Sequence, residues 1–110
     1  MTVSPEYIQF VMDKLAPVGD VTGRAMFGGY GIFHRGLMFA LIASDNLYFK
    51  VNDTNRQMYQ QAGSSPFPHG ISYWEVPSET IEDDPKLLEW ANISADIAIA
   101  AASRKNRKRK

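Results

Sequence analysis

The chain has no cysteine among its 110 residues and two histidines. The first absence removes disulfide frameworks, thiolate metal sites and thiol nucleophiles, and it fits a reducing compartment. The second thins the field of catalytic bases. No run of apolar residues approaches the length of a membrane span, and residues 1–20 lack the basic start and apolar stretch of a secretion signal. A cytoplasmic protein without a membrane contact is the expectation. Net charge is also missing, since twelve Lys and Arg balance twelve Asp and Glu. The balance is uneven along the chain. Arg104, Lys105, Arg107, Lys108, Arg109 and Lys110 supply six of the basic residues, leaving residues 1–103 with six cations against twelve acids. The body alone is acidic and poorly suited to nucleic acid, whereas the terminal run could hold phosphates weakly and without reading bases. A solvated, disordered terminus over 104–110 is the plainer reading of the same residues.

What is present describes one globular domain over residues 1–103. Nearly half of the residues are apolar, and a chain of this length buries roughly two thirds of its unfolded surface. Ser4-Pro5-Glu6 reads as an N-cap, a proline in the first turn and an acid near the helix dipole; Ile8, Val11, Met12 and Leu15 then share one face of a helix ending before Pro17. From Val21 to Val51 the pattern becomes VTGRAMF, YGIF, LMFALI and LYFKV, separated by Gly28-Gly29, His34-Arg35-Gly36 and Ser44-Asp45-Asn46. Connections so short join only antiparallel neighbours. A second helix is expected over Asn55–Ala62, capped by Asp53 or Thr54 and stopped by Gly63, then a fifth strand in ISYWEVP. Asp84 as cap and Pro85 in the first turn open the longest helix, about Pro85 to Ser103, whose apolar arc (Leu87, Leu88, Trp90, Ala91, Ala95, Ile97, Ala98, Ile99, Ala101 and Ala102) exceeds half the circumference. That arc means cover from two directions, by sheet and first helix, or a homodimer surface. The fold class is therefore α+β: an antiparallel meander of about five strands packed against an N-terminal helix and a long C-terminal helix.

The stretch RAMFGGYGIF, Arg24 to Phe33, is the place to look for a ligand loop. It has neither the Lys-Ser/Thr of a Walker loop nor the following helix of a dinucleotide fingerprint. Gly28 and Gly29 are explained by a tight hairpin, and Gly31 by a large ring or another backbone close to the sheet. Exposed aromatics around it offer a partner surface, and Phe27, Gly28, Gly29, Tyr30, Tyr73 and Trp74 are the candidates. Period two puts Arg24, Tyr48 and Lys50 on the face opposite Leu47, Phe49 and Val51, where two cations and a tyrosine could bind an anion or phosphate, or simply form a solvated face paired with Glu75. Ser64, Ser65 and His69 lie near one another in sequence, which is poor support for a nucleophile and base. Glu82, Asp83 and Asp84 suit a hard cation less simply than they suit a helix N-terminus. No catalytic residue, metal ligand or cofactor is expected.

The ordered succession R-x-M-F-G-G-Y-G-I-F from Arg24, G-x-M-F-A-L-I from Gly36, L-Y-F-K-V from Leu47, P-F at Pro66, S-Y-W-E-V-P from Ser72 and L-x-x-W from Leu87 resembles the N-terminal domain of the TfoX/Sxy family, over about residues 7–103. The resemblance implies a small bacterial α+β domain tied to the regulation of natural competence, that is, to transcription of DNA-uptake genes with the cyclic-AMP receptor protein as partner. It implies no catalytic residue and no cofactor. Longer members carry a second, helical domain where this sequence has RKNRKRK, so a single-domain member is expected.

Overall fold

In the computed structural model, residues 4–26, 28–68 and 72–108 are described, with the backbone alone from 104 onward. Helix α1 (Pro5–Leu15) starts as its sequence asks: the Ser4 hydroxyl accepts the Tyr7 N–H at 3.2 Å, and Pro5 sits where its missing N–H is harmless. A 3-10 turn at Ala16–Val18 leads into strands β1 (Val21–Met26), β2 (Gly29–His34), β3 (Leu37–Ala43) and β4 (Asn46–Lys50). Helix α2 (Arg56–Gln61) and a loop bring the chain back as β5 (Tyr73–Glu75), followed by the short α3 (Ser78–Ile81) and α4 (Asp84–Lys108). The five strands form one antiparallel sheet in sequence order. The α+β meander with its first and last helices is as the sequence indicates.

The turns are built from residues that reach left-handed backbone. Arg35 and Gly36 have φ of +53° and +78°, and Ser44 and Asp45 +52° and +60°, the mirror-image geometry that matches the right-handed twist of the strands. Asp45 also accepts the Ser4 N–H at 2.9 Å, tying the start of α1 to this hairpin.

Helix α4 lies across β3 and β4, with α1 and α3 against its flanks. One face of the sheet and these helices enclose the core, in which Ile32, Phe39, Ile42, Leu47, Phe49, Leu15 and Leu87 are buried. A β-bulge decides which residues of β3 take part: Ile32 pairs with Ala40 but Phe33 with Met38, so Phe39 is the extra residue and turns inward beside Ala40. Met38, Leu41 and Ala43 therefore point away from the helices.

Three expectations shift. The α4 cap is Asp83 rather than Asp84, because the Asp83 carboxylate accepts the Lys86 N–H at 3.2 Å while Asp84 reaches Lys14 at 2.6 Å. Neither Asp53 nor Thr54 caps α2; Asp53 pairs with Arg56 at 2.6 Å, and Asn55 holds the segment by accepting the Asn52 N–H and donating to the Lys50 carbonyl. Helix α4 continues past Ser103 through Lys108, so the first basic residues lie on a helical backbone, and Arg109 and Lys110 lie outside the described residues. Among the described residues no helix is long and apolar enough to cross a membrane.

Candidate functional site

The face of the sheet turned away from the helices is apolar over much of its width. Leu41, Tyr48 and Tyr73 form a second buried cluster there, with Met38, Ala43 and Phe67 packed on it. Tyr73 lies across β4 and donates its hydroxyl to the Met38 carbonyl at 3.2 Å; burial pushes this phenol up to about 12. The Tyr48 ring meets Phe67 edge-on at 4.9 Å, and burial and then the Glu75 carboxylate raise its pKa as well.

Between Met26 on one side and Phe67 and Tyr73 on the other runs a groove of about 760 Å³. Gly29, Gly31, Leu41 and Ala43 line its floor. The glycines are there for room. A Cβ at Gly31 would stand 2.6 Å from the Met26 sulfur and 3.2 Å from the Phe33 ring, and one at Gly29 2.6 Å from the Ile42 carbonyl. The large ring expected over Gly31 is thus Phe33, joined by a methionine. Only Gly28 of the Gly28-Gly29 pair has left-handed backbone, with φ +77°; Gly29 already opens β2.

The candidate partner surface divides between the two faces. Gly28, Gly29 and Tyr73 belong to the groove. Trp74 faces the helices, 6.4 Å from the Tyr59 ring, and Tyr30 also packs toward the core, where its ring covers Gly23. The reason is pleating, since neighbours on a strand point to opposite faces. Phe27 lies outside the described residues.

Arg24, Tyr48 and Lys50 do share the outer face, but β1 and β4 are separated by two strands, roughly 14 Å from backbone to backbone at the usual strand spacing. Each cation instead covers a ring: the Arg24 guanidinium lies 5.0 Å from the Phe33 centroid and the Lys50 ammonium 5.3 Å from that of Tyr73. The three do not converge on one anion.

The residues weighed for catalysis have structural work. Ser64 donates to the Glu75 carbonyl at 2.5 Å and helps hold segment 64–67 along β5, where Phe67 N–H also bonds Tyr73 at 2.7 Å. His34 Nδ1 sits 2.6 Å from the Gly19 carbonyl, and His69 lies outside the described residues. Among the described residues no group of three or more acids or histidines could hold a metal ion. A smaller polar hollow of about 290 Å³, lined by Ser64, Ser65, Glu75 and Glu79, completes the concave surface near β5.

Met26, Met38, Leu41, Ala43 and Phe67 were not among the sequence candidates. Their signal is the run LMFALIA, which has no polar residue in a strand of an antiparallel sheet, where alternation is normal; a strand apolar on both sides is one that is covered on both sides. No curated protein matches the chain. The family model described as the TfoX N-terminal domain matches residues 13–98, from the last turn of α1 through β5 and most of α4. With this span covering most of its length, the chain belongs to the TfoX N-terminal domain family.

Proposed function

We propose that this domain is a non-enzymatic regulatory adaptor, acting in transcriptional control by protein–protein contact through the outer face of its sheet. The observation that carries the reading is the apolar groove of about 760 Å³ on the face opposite the helices, bordered by flexible methionines of the kind that adapt to a partner. The structural engagement of Ser64 and His34 supports the non-enzymatic part. The cyclic-AMP receptor protein, suggested by the TfoX/Sxy resemblance, is the first partner to test. Calorimetric titration of that protein with the wild-type chain and with Met26→Glu should give binding for the first and a loss of at least about tenfold for the second, as expected when a charge is left in an apolar contact. Binding undisturbed by Met26→Glu, in a variant with unchanged unfolding, counts against the surface.

A second reading, weak nucleic-acid contact through residues 104–110, draws on the continuation of α4 through Lys108, which places Arg104, Lys105, Arg107 and Lys108 on one helical run. Five or six phosphate contacts would give a log–log salt slope of about −5. Removal of residues 104–110 should abolish retention on immobilised DNA at low salt, and unchanged retention refutes this reading.

A further inference from the structure

The outer face has a shape and a charge as well as an apolar surface, and together they narrow what can lie on it. We infer that the groove receives an amphipathic α-helix whose apolar stripe is flanked by acidic side chains. The inference rests on the docking face proposed above and adds the chemistry of its occupant.

The shape comes from the floor. Gly29 and Ala43 present almost no side chain, the Met26 thioether and the Phe33 ring cover Gly31, and Tyr73 on β5 closes the far side. Met26 reaches over Gly31 of β2 and Tyr73 reaches the Met38 carbonyl of β3, so the opening between them is narrower than the strand spacing, and a helix lies on it by its apolar stripe, resting on the two walls. A peptide adding as a strand would need a sheet edge, whereas this concavity lies over the middle of the sheet. The opposite face already takes a helix in this manner, with α4 across β3 and β4.

Charge chooses among helices. Arg24 stands on the β1 side and Lys50 on the β4 side, each over an aromatic ring and neither with a carboxylate partner among the described residues. The pairing registers place Glu75 as the one acid among the outward residues of the five strands, in a body whose residues 1–103 carry twelve acids against six cations. The groove is thus bordered by positive charge on an otherwise acidic body. A second copy laid face to face would bring Arg24 and Lys50 against their own kind, which disfavours self-pairing. A helix with Asp or Glu beside its stripe meets one cation on each side.

The test uses a fluorescein-labelled, helix-stapled peptide with leucines at i, i+3, i+4 and i+7 and glutamates flanking them, and the same peptide with lysines for the glutamates. Fluorescence anisotropy should show the acidic peptide binding, the basic one at least about tenfold more weakly, and Arg24→Glu and Lys50→Glu each weakening the acidic peptide about fivefold with unfolding curves unchanged. Equal binding of both peptides, or preference for the basic one, overturns the charge assignment. Failure of the acidic peptide to bind, while Met26→Glu still abolishes binding of the partner protein, overturns the helix and leaves the docking face standing. A concentration-dependent dimer in sedimentation that Met26→Glu dissolves makes the occupant a second copy and likewise overturns the inference.

Discussion

Replacing Tyr59 by phenylalanine should stabilise the protein. The Tyr59 side chain is fully buried, its ring 4.5 Å from that of Trp90 and 6.4 Å from that of Trp74. Its hydroxyl is enclosed with no hydrogen-bond partner among the described residues, and burial raises its pKa well above the usual tyrosine range. Ser94 lies beside it and donates its hydroxyl to the Lys50 carbonyl at 2.7 Å; its oxygen could still accept, but it stands outside hydrogen-bonding geometry with the Tyr59 hydroxyl. An unsatisfied buried hydroxyl costs about 1–3 kcal/mol. Phenylalanine keeps the ring contacts and leaves a gap of one oxygen, which returns part of that gain through lost dispersion contacts. The net expectation is about 1 kcal/mol of added stability, or a rise of about 4 °C in Tm for a domain of this size. Urea unfolding followed by fluorescence reports directly, because Trp74 and Trp90 flank the site. Ser94→Ala should cost about 1 kcal/mol through loss of its bond to Lys50, and the double variant should be additive. A loss of 1 kcal/mol or more in Tyr59→Phe, or a Tyr59–Ser94 coupling above about 0.5 kcal/mol, refutes the reasoning by showing that the hydroxyl has a partner.

Three further outcomes follow from the same geometry. Gly23→Ala places a Cβ 2.3 Å from the Tyr30 ring, so the ring must leave the core; thermal unfolding should show a loss of about 1–3 kcal/mol. Asp83→Ala removes the α4 cap and should lower stability by about 1 kcal/mol, whereas Asp84→Ala, which breaks only an exposed ion pair, should cost about half that or less; the reverse order in urea unfolding would show the cap misassigned. Tyr73 titrates near 12 in the folded protein and near 10 when unfolded, so the folded state disfavours its anion. Its contribution is complete below pH 10 and falls by about 1.4 kcal/mol per pH unit between 10 and 12, and Tyr73→Phe should flatten alkaline unfolding over that window.

Much of the fold can be read without coordinates because its turns are short and its strands end at glycine, asparagine and aspartate. The faces of β4 follow from alternation alone: Leu47 and Phe49 lie inward, Tyr48 and Lys50 outward. β3 resists the same treatment. In LMFALIA every position is apolar, so the sequence cannot mark the bulge that turns Phe39 inward beside Ala40, and with it the identity of the outward residues. Helix α3 went unmarked because Ser78–Ile81 is a single turn with no apolar period. The candidate surface was partly legible. Grouping Tyr73 with Trp74 overlooks pleating, which puts adjacent strand residues on opposite faces; placing Arg24, Tyr48 and Lys50 on one face is correct but says nothing of the two strands between them. The groove itself depends on lateral strand order and on what a Cβ would strike at Gly29 and Gly31, neither of which is written in local pattern.

The protein carries its own reporters for the central claim, that the outer sheet face is where a partner docks. Met26 and Met38 line the groove, while Met12 and Met58 pack against the helix-side core. With methyl-labelled methionine, NMR titration with the purified cyclic-AMP receptor protein should shift or broaden Met26 and Met38 and leave Met12 and Met58 in place. Movement of Met12 or Met58 while Met26 and Met38 stay unchanged would contradict it.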